Sequence, residues 1–174
     1  MKKAILKYGV ISGLISAGLM FASMLVMKQF GDNALHFEYG AYVGYTCILL
    51  AMLMIYAAIR YFREAVNDGK VTFVQGLLIG LGITVISCIF YSLMWLVVYY
   101  NFMPTFMDDY VNYQVTKMEA AGSSAESIQA MKTQMDGFKS MYSSPFSVFL
   151  ITLTEPAPVG ILVSFVSALF LKKS

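Results

Sequence analysis

The sequence predicts an all-α fold: an integral-membrane four-helix bundle with an extramembrane helical hairpin between its third and fourth spans, all in one transmembrane domain, residues 1–174. Three observations carry this. Four apolar runs recur along the 174 residues, each long enough to cross a hydrocarbon core of ~30 Å. Hydrophobic residues make up 59% and charged residues 13% of the chain, where soluble domains carry roughly 25% charged residues; the mean hydropathy is +0.69. The charges that remain fall mostly between the apolar runs. The lipid bilayer is therefore the first partner. A net charge of +2 leaves no electrostatic footprint for nucleic acid.

The first span covers residues 8–27, preceded by Lys2, Lys3 and Lys7 and closed by Lys28. A secretory signal shares the basic start, but its apolar core is only about 7–15 residues and ends at a small-residue cleavage site. This run is longer and lacks such a site, so a retained span is expected. A short polar link, Gln29 to Glu38, carries Gly31-Asp32-Asn33 and the only histidine, His36. The second span, 39–59, stops at Arg60 and Arg63, and the link after it turns at Asn67-Asp68-Gly69, a strong turn signal. The third span, 73–100, is roughly 27 residues or ~40 Å long, so it must tilt in, or project from, a ~30 Å core. Pro104 marks its end.

Residues 103–144 form the only substantial hydrophilic stretch, and its pattern predicts two helices. Phe106, Tyr110 and Tyr113 fall at helical spacing, as do Ile128, Met131, Met135, Phe138 and Tyr142. Gly122-Ser123-Ser124 separates the two sets, and Ser123-x-x-Glu126 has the capping-box pattern that opens a helix. The expected hairpin packs through a seam rich in Met and aromatic residues, with Ile128, Met131, Met135 and Phe138 as its second-helix side.

The fourth span, 146–171, returns to Lys172 and Lys173 and contains Thr154-Glu155-Pro156-Ala157-Pro158. Pro156 and Pro158 lack an N–H, so a helix break is expected there, freeing the carbonyls of Thr152 and Thr154. Counting in from the inner ends of the spans at 1.5 Å per residue puts Glu155 in the outer leaflet, level with Ser23, Tyr45 and Ser92, its expected hydrogen-bond partners. Glu155, Thr152, Thr154, Ser23, Tyr45 and Ser92 thus form a candidate intramembrane polar site. Two readings of it are open. Broken helices of transporters hold cations with a carboxylate and freed carbonyls; alternatively, Glu155 bonds the nearby hydroxyls and pins a kinked helix.

Four spans place both termini on one side. Lys2, Lys3, Lys7, Arg60, Arg63, Lys70, Lys172 and Lys173 share it, against Lys28, Lys117, Lys132 and Lys139 opposite. The positive-inside rule then puts both termini in the cytoplasm and the hairpin outside. Tyr39, Tyr42, Trp95, Tyr99 and Tyr100 would form an outer aromatic belt, and Tyr8, Tyr56, Tyr61 and Phe73 an inner one. Small residues repeat at four-residue spacing, as in Gly9/Gly13, Gly40/Gly44, Gly76/Gly80 and Gly160/Ser164. Such faces allow close helix approach, here expected within one bundle, with a homo-oligomer face as the alternative.

No catalytic constellation is visible. His36 stands alone, the spans hold no His or Asp pair, and the glycines at 76, 80 and 82 sit in an apolar helix rather than a phosphate loop. Thioethers suit Cu(I), but Met131, Met135 and Met141 fit core spacing, and Cys47 and Cys88 read as packing residues. No enzyme, metal or cofactor is expected.

Several stretches together resemble a known family: Lys7-Tyr8-Gly9-Val10-Ile11-Ser12-Gly13-Leu14-Ile15, Arg60-Tyr61-Phe62-Arg63, Gly69-Lys70-Val71-Thr72-Phe73-Val74-Gln75-Gly76, Tyr99-Tyr100-Asn101-Phe102, and Pro158-Val159-Gly160-Ile161-Leu162-Val163-Ser164 with Ser167-Ala168-Leu169. In order and spacing they resemble the four-span membrane proteins of Bacteroidota grouped as domain-of-unknown-function family 4199. Met103-Pro104 departs from the residues usual at that place in the family. The resemblance implies a bacterial inner membrane, which makes the outer side the periplasm, and it brings no activity. The expected role is a non-enzymatic accessory subunit whose hairpin meets a protein partner; the alternative is a small ion-coupled transporter using Glu155.

Overall fold

A computed structural model describes the backbone of residues 1–29 and 33–173, and their side chains except at 27–29 and 33–36. Seven helices are described: α1 (Lys2–Gln29), α2 (Asn33–Ala65), α3 (Phe73–Asn101), α4 (Phe106–Ala120), α5 (Ala125–Met141), α6 (Pro145–Leu153) and α7 (Ala157–Leu171). Four stretches are long and apolar enough to cross a membrane: Lys2–Val26, Phe37–Ala65, Phe73–Asn101 and Pro145–Leu171. The last combines α6 and α7. Among the described residues the only β-pairing is one bridge between Val71 and Lys173. The all-α, four-span expectation therefore holds, with α4 and α5 as the hairpin.

Helix α3 is the centre. Its buried positions run from Gly76 to Val98 and include Ile79, Gly80, Ile83, Thr84, Ser87, Cys88, Tyr91 and Ser92, and α1, α2, α6 and α7 all pack on it. A reciprocal cap opens it: Thr72 Oγ1 accepts from Gln75 N at 3.2 Å, and Gln75 Oε1 accepts from Thr72 N at 3.0 Å.

In lipid no hydrophobic drive pushes helices together, so close contact and buried hydroxyls must hold them. Both are present. A Cβ built on Gly80 would stand 2.6 Å from Ser164 Cβ, and one on Gly13 would stand 2.7 Å from Phe90 Cγ. The Ser12 hydroxyl donates to the Ala51 carbonyl at 2.9 Å and meets Ser87 Oγ at 3.2 Å, joining α1, α2 and α3. Thr84 Oγ1 and Ser164 Oγ lie 3.4 Å apart between α3 and α7. The glycines at 9, 13, 76, 80 and 160 thus serve packing within this one chain. Leu14, Leu78, Val85, Leu162 and Phe165 stay exposed, as lipid-facing side chains do.

One end of the bundle is tied by its chain ends. Tyr8 and Tyr61 rings lie 5.6 Å apart, with Lys7 Nζ 5.5 Å from the Tyr61 ring. Arg63 donates to the Leu171 carbonyl at 3.3 Å, and Val71 and Lys173 exchange backbone hydrogen bonds at 2.9 and 2.8 Å. The N-terminus, the α2–α3 link and the C-terminus therefore share one end, as four crossings require. The link reverses where expected: Asp68 and Gly69 take φ values of 48° and 79°.

Helix α1 opens at Lys2 rather than at residue 8, and three further boundaries differ from expectation. Helix α2 opens at Asn33, inside what reads as a polar link, and ends at Ala65, beyond Arg60. Phe37 finds ring partners on α4, and tertiary packing extends helices that propensity alone would not; at the other end Arg60 and Arg63 both pair with Glu64. Phe30–Asp32 and the His36 side chain lie outside the described residues. The α5 cap is Ser124, not Ser123, its hydroxyl accepting from Ser127 N at 3.2 Å.

The hairpin seam is thinner than expected. Ile128, Met131 and Met135 are half-buried, but Phe138 is exposed. Phe106, Tyr110 and Tyr113 do not complete the seam; their rings sit 5.4–5.7 Å from the Phe37 ring on α2. Bundle aromatics offer these rings more contact than the slender α5 does. Lys139 pairs with Asp108, clasping α5 to α4.

Candidate functional site

The fourth span breaks at its Pro pair. Helix α6 stops at Leu153 and α7 resumes at Ala157, with Pro156 buried and Pro158 exposed. The Thr152 carbonyl does not go begging: Glu155 N donates to it at 3.2 Å, in a tighter turn than the α-helix. The two threonine hydroxyls also turn inward on their own helix, Thr152 Oγ1 to the Val148 carbonyl at 2.8 Å and Thr154 Oγ1 to that of Ile151 at 2.6 Å. Neither is spent on Glu155.

Glu155 instead lines a cavity of about 320 Å³. From α1 come Met20, Ser23 and Met24, and from α2 Phe37, Gly40, Ala41, Val43 and Gly44. Tyr91 and Trp95 face it from α3, while Phe106 and Tyr110 of α4, with Tyr142, close it on the hairpin side. The aromatic lining is mutually braced. Trp95 meets Phe106 edge-on at 5.2 Å, Phe106 stacks on Tyr110 at 6.5 Å, and Tyr99 packs Tyr142 at 5.6 Å. Glu155 is surrounded by protein yet keeps an exposed face, because the cavity wall is open rather than sealed.

The six residues of the expected polar site are only partly brought together. Ser23 shares the cavity with Glu155, but its hydroxyl donates to its own Met20 carbonyl at 2.8 Å. Tyr45 is exposed and outside the lining. Ser92 is fully buried, also outside the lining, with its hydroxyl unpartnered. Tyr91, one residue before Ser92 and therefore ~100° around the helix, is the α3 residue beside it that shares the cavity with Glu155. Depth counting finds the right turn of α3 and misses its face.

Sequence reasoning also misses the aromatic wall. The signals were there: Tyr91, Trp95 and Tyr99 at four-residue spacing on α3, then Phe106 and Tyr110 on α4. Trp95 and Tyr99, assigned to an outer belt, are half-buried and packed together at 6.2 Å; Tyr39, Tyr42 and Tyr100 are the exposed belt members. The Gly40/Gly44 pair serves the cavity, since a Cβ on Gly44 meets nothing within 4 Å. Among the described residues no group of three or more His, Cys, Asp or Glu side chains is placed to hold a metal.

Helices, spans and cavity together define a small multi-pass membrane protein whose hairpin covers one end of its bundle. The family model described as a protein of unknown function, DUF4199, matches residues 7–173, and the chain belongs to that family. Comparison with curated proteins and with solved structures gave no significant match.

Proposed function

We propose that the protein is a non-enzymatic, membrane-embedded binding protein that takes a small ligand into the cavity beneath its hairpin. The observation carrying this is the use of α4: its aromatic face is turned onto the cavity instead of being offered outward. A volume of about 320 Å³ suits a small molecule, near the lower end of the ~300–1,000 Å³ of ligand pockets. The opposite end is closed by Gly76, Gly80 and the tied chain ends, which favours binding over the ion-coupled carrier reading. A library of small cations, anions and neutral molecules, scored by thermal shift on wild type and on Gly44→Leu, tests it. The variant fills the space that Gly44 leaves. At least one class should stabilise wild type and not Gly44→Leu; no such class would refute the reading.

The same proposal places the protein in a bacterial inner membrane, with both termini cytoplasmic and the hairpin periplasmic. Eight basic residues at the end holding the termini, against four opposite, support it. Reporter fusions after Lys70 and at the C-terminus should report cytoplasm, and one at Gly122 periplasm; a cytoplasmic signal at Gly122 would reverse the orientation. A second reading, the accessory subunit, keeps one observation in its favour: Phe138 and Met141 of α5 are exposed and offer a protein partner an apolar contact.

A further inference from the structure

The cavity has a chemical character more specific than its size. Among the described residues, six of the fourteen that line it are aromatic, and Glu155 is the only ionisable acid or base there other than tyrosine. Among the described residues no lysine or arginine lines it, and the ion pairs Arg60–Glu64, Arg63–Glu64 and Lys139–Asp108 all leave Glu155 out. A carboxylate at membrane depth without a protein cation is costly, and here its cavity is lined mainly by aromatic and apolar side chains. A bare divalent metal ion favours several carboxylate or carbonyl oxygens, whereas this wall offers a single carboxylate, with only the hydroxyls of Ser23, Tyr91, Tyr110 and Tyr142 beside it. An anion would meet Glu155 unopposed, and a neutral apolar guest would leave it unanswered. An organic ammonium group satisfies both halves of the wall. Its charge answers the carboxylate, and its alkyl substituents spread that charge over surfaces suited to aromatic rings and the Met20 and Met24 thioethers.

We propose that the cavity binds a small tertiary or quaternary ammonium group as the counter-ion of Glu155, held against Tyr91, Trp95, Phe106 and Tyr142. The assignment rests on the reading of the cavity as a ligand site and names the ligand class. The ammonium is carried either by a free organic cation or by a lipid headgroup reaching in from the bilayer; the site chemistry is the same for both.

Trp95 is the only tryptophan and lines the cavity, so its fluorescence reports occupancy directly. The full chain is placed in phosphatidylglycerol nanodiscs, which contain no ammonium headgroup, and titrated with tetramethylammonium chloride against sodium chloride at equal ionic strength. The expected result is a saturable change in Trp95 emission and a raised unfolding temperature with tetramethylammonium alone. Glu155→Gln keeps the side-chain shape and should weaken binding roughly tenfold or more, the loss of one charge-assisted contact. Gly44→Leu should abolish binding with Glu155 intact. Repeating the titration in phosphatidylcholine nanodiscs separates the sources: a weakened apparent affinity assigns the site to the headgroup, an unchanged one to a free cation, and either supports the proposal. No saturable response, or an equal response in a folded Glu155→Gln protein, overturns it. If tetramethylammonium fails while a neutral or anionic compound still stabilises wild type over Gly44→Leu, the ammonium assignment falls and the binding reading stands.

Discussion

Replacing Gly160 with alanine tests the packing that holds α7 to α3. An added Cβ would stand 2.6 Å from Thr84 Oγ1, with the Thr84 methyl closer still and Thr84 Cβ at 3.0 Å. Thr84 cannot simply swing away. Its hydroxyl donates to the Gly80 carbonyl at 3.0 Å, it is buried, and Ser164 Oγ lies 3.4 Å off. Either the threonine leaves its hydrogen bond or the helices separate, and overpacking of this kind costs about 1–3 kcal/mol. At ~2–4 °C per kcal/mol for a chain of this size, the unfolding temperature in mild detergent should fall by several degrees. Thr84→Ala removes both offending atoms, so the double variant should recover part of the loss, a coupling read from a double-mutant cycle. Gly18→Ala is the control. It has nothing within 4 Å, and better helix propensity should leave it neutral or raise stability by up to ~1 kcal/mol. Equal unfolding temperatures for Gly160→Ala and Gly18→Ala would refute the close approach of α3 and α7.

Three further outcomes follow from side chains seen in place. Met135→Asp should lower hairpin stability by about 1–3 kcal/mol and expose the Gly122 flanks to protease, while Phe138→Asp, at a side chain left exposed, should stay within ~0.5 kcal/mol of wild type; equal sensitivity would deny the seam. Ser92→Ala removes a buried hydroxyl that has no partner and should be neutral or stabilising by up to about 1 kcal/mol, whereas Ser12→Ala breaks bonds to Ala51 and Ser87 and should cost ~0.5–1.5 kcal/mol; the reverse order in thermal unfolding would contradict the buried hydroxyl pattern. The hydrogen bond and charge of Asp108 raise the Lys139 pKa above its ordinary value, so the clasp is fully present below the unfolded lysine value of ~10.4 and is lost as pH rises through the higher folded one. Amide exchange in α5 should thus show no Lys139 transition between pH 5 and 9 after correction for intrinsic rates, yet speed up in Asp108→Asn, and speed up in high salt for wild type alone.

How much was legible follows from the period of each signal. Span number, the tied end and the break at Pro156 come from run length, charge and missing N–H groups, which lipid leaves few ways to satisfy. Hence α3 ends at Asn101 just before Pro104, and α6 gives way to α7 around Pro156. Which face of a span meets which neighbour is another matter. A helix that is apolar all round carries no moment to orient it, and α3 is such a helix. That is why Ser92 reads as a Glu155 partner when Tyr91 is the residue that shares its cavity. The same degeneracy hides Phe37: its contacts with Phe106, Tyr110 and Tyr113 join residues some 70 positions apart, and no local pattern announces them.

The two ends of the bundle use small residues for opposite purposes. At Gly76, Gly80 and Gly160 the missing side chain lets backbones close until a single Cβ would not fit. At Gly44 the same absence meets nothing, and the space is left to the cavity. Close approach at one end and vacancy at the other are both stable only because α3 spans the two and anchors each neighbour. The proline break falls between these regimes. Helix α7 below it belongs to the glycine-packed end, while α6 above it is capped by Ser144 and Ser147 and continues into Tyr142 and the hairpin. The break thus divides the span between the two packings, with Glu155 at the cavity and the α3–α7 contact beyond it.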